Sequence, residues 1–316
     1  MRIPRTAKSA VKAALPKPLL ILLRSLRSRR RQLERQMEPL VTEEQLCEDL
    51  RSAGIQAGDV LMVHSALSKI GNVDGGAETV IRALIAVVSP GGTIAMPCYA
   101  SGEDVEKGMA DARYVDLRTL GSGTGKITEA FRNWPGVLRS SHPFSSMCAL
   151  GKEASFLLRD HARAPHVCHR DSPVGRLVQL DAKVLGIGVP IGRGFGIAHH
   201  LEDTWKEFPL SVHRPPFRVR YINAEGEIVE REVIRFDPAV ARTRIDQPDG
   251  AWINDQFTKH LTRLGVLRHF TFGNAPSWLI RAGAQHHEVK RLAEKGITMY
   301  MTREEFDRRG ESLESW

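Results

Sequence analysis

His199 and Glu202 stand three residues apart, after an apolar run and a glycine-rich turn. On a helix, side chains at this spacing share a face, so the imidazole and the carboxylate can meet. Histidine suits general base catalysis near neutral pH, and a carboxylate on its second ring nitrogen fixes the tautomer and stabilises the imidazolium. The pair is therefore a candidate general base that takes a proton from a reacting group. Taken without its flanking segments, a histidine that only opens a helix is the competing interpretation.

A second segment with chemical potential, residues 63–76, joins a predicted strand to a predicted helix. It offers one imidazole, two hydroxyls and two glycines: His64, Ser65, Ser68, Gly75 and Gly76. Phosphate-bearing cofactors bind where a loop leaves the carboxyl end of a strand and feeds a helix, because backbone N–H groups there approach phosphate oxygens closely. The segment matches neither of the two common glycine-rich nucleotide patterns, so an ordinary strand–helix turn is an equal interpretation.

Five blocks of the sequence resemble, in order, the aminoglycoside 3-N-acetyltransferase family. The blocks are residues 64–76, 90–97, 125–143, 171–177 and 199–202. The resemblance as a whole covers about residues 40–300, and five ordered blocks are far more specific than a single motif. The resemblance implies that acetyl-CoA is the cofactor and that a small-molecule amine, on an amino sugar or aminocyclitol, is the acceptor.

The resemblance also implies roles for individual residues. His199 matches the catalytic histidine, Glu202 the acid of the HxxE motif, and Asp237 an aspartate that lines the family's site. We expect His199 to act as general base in a direct transfer within a ternary complex. Its carboxylate partner is Glu202 or Asp237, and the sequence leaves both open.

Coenzyme A contacts are implied for a second block by the same resemblance. That block contains Arg139, Ser140, His142 and Pro143. The guanidinium of Arg139 has the geometry to pair with a phosphate.

Two departures from the family pattern bear on the acceptor. Many members carry Asn-Thr shortly before HxxE, where this chain has Phe195 and Gly196. The run from Asp116 to Thr119 resembles a variant associated with surface-glycan pathways, which makes Asp116 and Arg118 candidate substrate-binding residues. We therefore expect an amino sugar of a cell-envelope or secondary-metabolite pathway as acceptor. The alternatives are a true aminoglycoside-resistance enzyme and an inactive, membrane-associated scaffold.

Metal-ligand residue types also cluster in one short run, at His161, His166, Cys168 and His169. The run lacks the spacing of a zinc site and a second cysteine pair, so we expect no metal. The chain has four cysteines without a CxxC pair, which excludes a disulfide scaffold and is typical of a reduced cytoplasm. None of them suggests a nucleophile, so no acyl-enzyme is needed.

Positive charge is concentrated at the start of the chain. Residues 1–35 carry eleven Lys or Arg and one acid, whereas the whole chain has a net charge of +8. We interpret residues 1–38 as a basic amphipathic arm and residues 39–316 as the acetyltransferase domain. Residues 1–35 suit peripheral contact with an anionic membrane at its inner face, while a solvated tail or a helix docked on a partner subunit is the alternative. No aromatic residue interleaves the basic run, which argues against nucleic acid.

The elements that would position these residues alternate between strands and helices. A strand over residues 59–63, a helix over 78–88 and a strand over 93–96 form a predicted βαβ unit with a parallel pair. Thr42 is the predicted N-cap of a helix that ends near Gly54. Further predicted elements are helices at 126–133, 153–160 and 284–295, a strand at 183–189 and a β-hairpin over 217–236.

These elements predict an α/β fold with a mixed, largely parallel sheet flanked by helices and a β-hairpin excursion. The chain has 316 residues, of which 42% are hydrophobic and 26% charged. That composition excludes a disordered chain, a collagen-like repeat and a polytopic membrane protein. The oligomeric state stays open, and an oligomer is compatible with the sequence.

Overall fold

The computed structural model describes Leu26 and residues 37–100, 115–164, 166–310 and 316. The predicted basic arm therefore lies almost wholly outside the described residues. Within the described ranges, no helix is long and apolar enough to cross a membrane.

Eleven strands and eleven α-helices are described. The strands are β1 Leu40–Val41, β2 Val60–Ser65, β3 Asn72–Val73, β4 Thr93–Pro97, β5 Leu138–Arg139, β6 Met147–Gly151, β7 Lys183–Ile187, β8 Phe217–Ile222, β9 Ile228–Val233, β10 Arg268–Phe272 and β11 Ala275–Arg281. The helices are α1 Glu43–Ser52, α2 Leu67–Ile70, α3 Ala77–Val88, α4 Lys126–Arg132, α5 Ala154–Leu158, α6 Pro173–Gln179, α7 Gly196–Thr204, α8 Pro238–Ala241, α9 Ala251–Arg263, α10 Ala282–Glu294 and α11 Arg303–Arg309.

A seven-stranded mixed sheet forms the centre of the fold, in the order β10-β11-β7-β2-β4-β6-β5. β2 pairs in parallel with β7 on one side and β4 on the other. The outer strands pair antiparallel, including β10 with β11 across a tight turn. The predicted α/β class and mixed sheet are confirmed, and parallel pairing is concentrated in the three central strands, where helical crossovers join the strands.

Helices cover both faces of the central strands, so these strands are apolar on both sides. On β2, Leu61 and Val63 pack into a core shared with α1, α3 and α4, whereas Met62 packs into a core shared with α6, α7, α9 and α10. Double-sided burial explains why β2 is a continuous apolar run without polar alternation.

The predicted β-hairpin is confirmed as β8 and β9, an antiparallel pair from Phe217↔Val233 to Ile222↔Ile228. It stands outside the main sheet and has its own small core, to which Val115, Phe144 and Tyr221 contribute. The Tyr221 hydroxyl donates a hydrogen bond to the Ser141 carbonyl, 3.1 Å away, and so ties the hairpin to the chain before β6.

Local signals predicted several helix boundaries well. The Thr42 hydroxyl accepts the Gln45 amide at the start of α1, as expected of an N-cap. The helix predicted over residues 284–295 is α10, but it is not the last helix, because Thr302 begins α11 with a capping box. The segment from α9 to β11 was not assigned from the sequence.

Trp278 fixes the turn between β7 and α7. Its indole N–H donates to the Val189 carbonyl, 2.8 Å away. The ring lies against Gly186 and Gly194, where an added methyl group at either position would overlap it. Because these two glycines have no side chains, the chain packs directly on the indole ring. This packing sets the direction in which α7 leaves the turn.

We expect Gly194→Ala to lower the free energy of unfolding by about 1–3 kcal/mol, because the new methyl group must displace the buried Trp278 ring. Gly196→Ala is the matched control, since its methyl group would meet only Met62 Cε, at 3.6 Å. We expect the control to change stability by less than about 0.5 kcal/mol. Urea unfolding measures both; equal stability of the two variants would contradict this account of the turn.

Candidate functional site

Most of the predicted site blocks lie at one edge of the sheet. β2, β4 and β7 are parallel neighbours, so their carboxyl ends meet at this edge. β2 ends in His64 and Ser65, and β7 leads through the turn into α7. β6 begins at the same edge, because Met147 pairs with Pro97 at the end of β4. This edge is where open α/β sheets bind their ligands.

His199 and Glu202 meet on α7 as the sequence predicted. Nδ1 of His199 lies 2.9 Å from Oε2 of Glu202. The Glu202 side chain is 0% exposed and that of His199 12%, so the carboxylate is sealed in while the imidazole reaches the surface. With Nδ1 bonded to Glu202, Nε2 is the ring nitrogen left to exchange a proton.

Asp237 is engaged elsewhere. Its carboxylate accepts the Ala239 amide, 2.8 Å away, as the N-cap of α8. Its own amide donates to the Val212 carbonyl. Of the two carboxylates that the sequence left open, Glu202 is the one bonded to His199 in this structure.

The His199–Glu202 pair is surrounded by further groups that no sequence pattern indicates. The Phe236 ring lies 4.9 Å from the His199 ring. Arg244 donates to both carboxylate oxygens of Asp246, at 2.6 and 3.0 Å. Burial acts to raise the pKa of Asp246, but the Arg244 hydrogen bonds outweigh it, and with the nearby His199 they hold that pKa below its usual value.

Tyr300 closes the far side of Glu202. Its hydroxyl and Oε1 of Glu202 are both buried and lack a hydrogen-bond partner among the described residues. Burial, followed by the charge of Glu202, raises the pKa of Tyr300, which therefore stays protonated. Neither Tyr300 nor Phe236 has a sequence spacing that relates it to His199, so only the folded chain reveals them.

The loop after β2 has features that fit a phosphate-bearing cofactor. α3 begins at Ala77, and within the described chain no side chain caps its first amides, which are therefore free to bind an anion. Gly75 and Gly76 have φ of 69° and 64°, a conformation that favours glycine and opens the path to those amides. Ser68 is exposed.

His64, at the end of β2, is half-buried, and its Nε2 atom is enclosed. Burial lowers the pKa of His64 to about 4, so its ring is neutral at physiological pH. Its Nε2 has no hydrogen-bond partner among the described residues. A buried nitrogen of this kind is a place for a ligand group or a water molecule.

The block around Arg139 is committed to the protein itself. The Arg139 guanidinium donates to Ser146 Oγ and to the carbonyls of Leu117, Leu120 and Cys98. Every one of its side-chain nitrogens is thus bonded, so the expected Arg139–phosphate pair is not available in this conformation. Arg139 instead holds the edge of β4 and the chain near Leu117 together.

Ser140 and His142 are similarly internal. The Ser140 hydroxyl is bonded to His161 Nδ1, 2.8 Å away, and accepts the Met147 amide. His142 Nδ1 accepts the amides of Phe144 and Ser145, just beyond Pro143. Burial, with the nearby Arg231 and Arg235, lowers the pKa of His142 to about 3. We expect these residues to support the sheet edge at the carboxyl ends of β2, β4 and β7 without contacting the cofactor themselves.

Asp116 and Arg118 pair with each other beside the hairpin. Arg118 Nε and Nη2 lie 3.0 and 2.7 Å from the two Asp116 oxygens. Asp116 also forms a β-bridge with Ile222 at the end of β8. The bidentate pair cancels its own charge, so it adds no net charge to an acceptor pocket.

The predicted run of metal-ligand types separates in the fold. His161 is bonded to Ser140, His169 lies 3.3 Å from Asp171, and His166 faces Asp203. Cys168 is a buried thiol.

Comparison with known proteins agrees with the site. The family profile for aminoglycoside 3-N-acetyltransferases matches residues 62–294. The aminoglycoside N(3)-acetyltransferase IX of Micromonospora chalcea is 33% identical over 260 residues, which cover 77% of this chain and 90% of the relative. The aminoglycoside N(3)-acetyltransferase VII of Streptomyces paromomycinus is 36% identical over 261 residues, covering 77% and 88%.

A solved structure extends the similarity to a cofactor complex. AAC-IIIb in a binary complex with CoASH has a TM-score of 0.69 to this chain at 27% identity, covering 81% of this chain and 98% of that one. The fold of this chain is therefore one that binds coenzyme A in a related protein.

With His199 as the expected general base, Glu202→Gln should lower kcat by about 10²–10⁴, because the amide cannot stabilise the imidazolium that such a base forms. Thiol release from acetyl-CoA with tobramycin as acceptor provides the measurement. Asp237→Asn is the control: asparagine caps a helix as well as aspartate does, so kcat should stay within about tenfold of wild type. The reverse ranking would identify Asp237 as the partner of His199 during catalysis.

Proposed function

Because the chain belongs to the aminoglycoside 3-N-acetyltransferase family, it is an acyltransferase that uses acetyl-CoA, and we propose that it acetylates an amine of an aminoglycoside with His199 as the general base. The observation that carries the role of His199 is the 2.9 Å contact between its Nδ1 and the sealed carboxylate of Glu202. A base oriented in this way presents Nε2 toward the site.

Acetyl-CoA supplies the acetyl group as a thioester. His199 Nε2 takes the proton that the amine loses as its nitrogen bonds to the carbonyl carbon. When the carbon–sulfur bond breaks, the same imidazolium returns the proton to the coenzyme A sulfur, so the enzyme ends in its starting state. Glu202 keeps Nδ1–H in place and stabilises the positive ring between these two transfers.

Coenzyme A fits the edge described by His64 and the start of α3. The uncapped amides after Gly76 suit a phosphate, and the orphaned His64 Nε2 suits a polar atom of the ligand. This placement puts the cofactor on the loop after β2 and the base on the helix after β7, two neighbouring strands. A direct transfer in a ternary complex needs this adjacency.

An aminoglycoside acceptor has two supports. The relatives that match most of this chain are named for aminoglycosides. The Asp116–Arg118 pair neutralises itself, so Arg118 is not a free cation that would hold an anionic sugar or repel a polycation. We place an amino sugar of a cell-envelope pathway second; the Phe195–Gly196 departure before the HxxE motif still favours it.

Competition in one assay tests the acceptor. With acetyl-CoA, tobramycin and a nucleotide-linked amino sugar present together, we expect tobramycin to be acetylated at least about a hundredfold faster. An anionic sugar in a site suited to a polycation would leave like charges unpaired, which costs several kcal/mol.

His199→Ala should lower kcat by about 10²–10⁴ with either acceptor and should retain coenzyme A binding, measured by calorimetry. Faster acetylation of the anionic sugar would establish the second candidate, and full activity of His199→Ala would remove the assigned base.

We further propose that residues 1–35 place the enzyme on anionic membranes through their basic charge. The described body begins slightly earlier than the predicted boundary at residue 38. Glu38 accepts hydrogen bonds from Asn72 and Asn274, and Leu40–Val41 pairs with β3. A deletion that spares the body should therefore end at residue 36.

Deletion of residues 1–36 should leave activity unchanged and abolish binding to anionic vesicles. Full-length protein should sediment with such vesicles and be released by salt, because the attraction is screened. Vesicles of neutral lipid are the control. Equal sedimentation of the truncated protein would contradict the membrane role.

A further inference from the structure

Three side chains from distant parts of the chain meet beside α7: His166, Asp203 and His213. Their nearest ligand-type atoms all lie within 4.8 Å of one another. His166 comes from the loop before α6, Asp203 from the last turn of α7, and His213 from the strand-like segment that bridges Phe236. The mechanism proposed for His199 uses none of the three.

The carboxylate of Asp203 is the centre of the group. It is 0% exposed, whereas the side chains of His166 and His213 are 25% and 21% exposed. Oδ2 of Asp203 accepts the Cys168 amide, 2.7 Å away. That hydrogen bond fixes the carboxylate and leaves Oδ1 directed at the two imidazoles, as in carboxylates that bind metals.

Both imidazoles present a nitrogen to that oxygen. His213 Nε2 lies 2.8 Å and His166 Nδ1 3.8 Å from Asp203 Oδ1. A hydrogen bond accounts for the contact of His213. It does not account for His166 Nδ1, which is buried and has no hydrogen-bond partner among the described residues.

The ligand set and its spacing match a borderline divalent cation. Two imidazoles and one carboxylate suit Zn²⁺, whose bonds of about 2.0–2.2 Å hold neighbouring ligand atoms about 3.3 Å apart. The two separations of 2.8 and 3.8 Å from Asp203 Oδ1 lie on either side of that value, and the third lies within 4.8 Å. The partly exposed histidines leave a route for the ion and a fourth position for water.

We propose that His166, Asp203 and His213 bind one divalent transition-metal ion, for which Zn²⁺ is the probe. The ion compensates the buried Asp203 charge and adds a direct link between the three segments that carry these side chains. The rings of His213 and His199 pack on Phe236, at 5.3 and 4.9 Å. The site would thus stabilise one wall of the catalytic pocket, whatever amine is acetylated there.

Zinc binding is measured on full-length, untagged protein that has been treated with EDTA and desalted. After incubation with Zn²⁺ and gel filtration we expect one zinc per chain by mass spectrometry, and a rise in Tm on the order of 5 °C at a hundredfold excess of Zn²⁺ over the dissociation constant. His166→Ala is the main variant because Nδ1 of His166 has no hydrogen-bond partner in the part of the chain that the structure describes. It should weaken zinc binding by at least about a hundredfold.

His169→Ala is the matched control, since His169 lies in the same loop but beside Asp171. It should bind zinc as wild type does, and His213→Ala should behave as His166→Ala does. Wild-type protein with less than half a zinc per chain and no change in Tm would overturn the site. Equal loss of zinc in the His169 and His166 variants, or equal retention in both, would also overturn it, because neither result depends on the three residues.

Discussion

Parallel pairing of β2 with its two neighbours is the constraint on which the active edge depends. Parallel strands point their carboxyl ends the same way, so the loops after β2, β4 and β7 emerge together. These strands are buried on both faces, and a one-residue shift of register would exchange the side chains that are packed into the two different cores. The loop after β2 and helix α7 are therefore adjacent as a consequence of sheet order.

Burial of Glu202 makes the His199–Glu202 pair a fixed unit. A carboxylate removed from water costs several kcal/mol unless a partner compensates it, so the fold itself needs the contact with His199, apart from the catalytic role proposed for the pair. The geometry of α7 is set from behind by Trp278, which packs on two glycines of β7 and the following turn. Strain in that turn would be transmitted directly to the base.

Several charged residues predicted to bind ligands are instead bonded within the protein. Arg139 donates all its hydrogen bonds to protein oxygens, and Asp116 and Arg118 satisfy each other. Charged residue types within a family-like block are thus used to hold chain segments together. The Arg244–Asp246 pair near His199 is likewise satisfied internally.

The sequence by itself determined the features that depend on neighbours along the chain. The three-residue spacing predicted that His199 and Glu202 share one helical face. Thr42 predicted the start of a helix, and the ordered blocks indicated the family. Only the tertiary structure decided that Glu202, and not Asp237, bonds to the base, and that His166 faces residues far along the chain. Hydrogen-bond spacing and hydrophobic periodicity depend only on residues that are close in the sequence. Contacts between distant segments depend on strand order and on packing across the sheet.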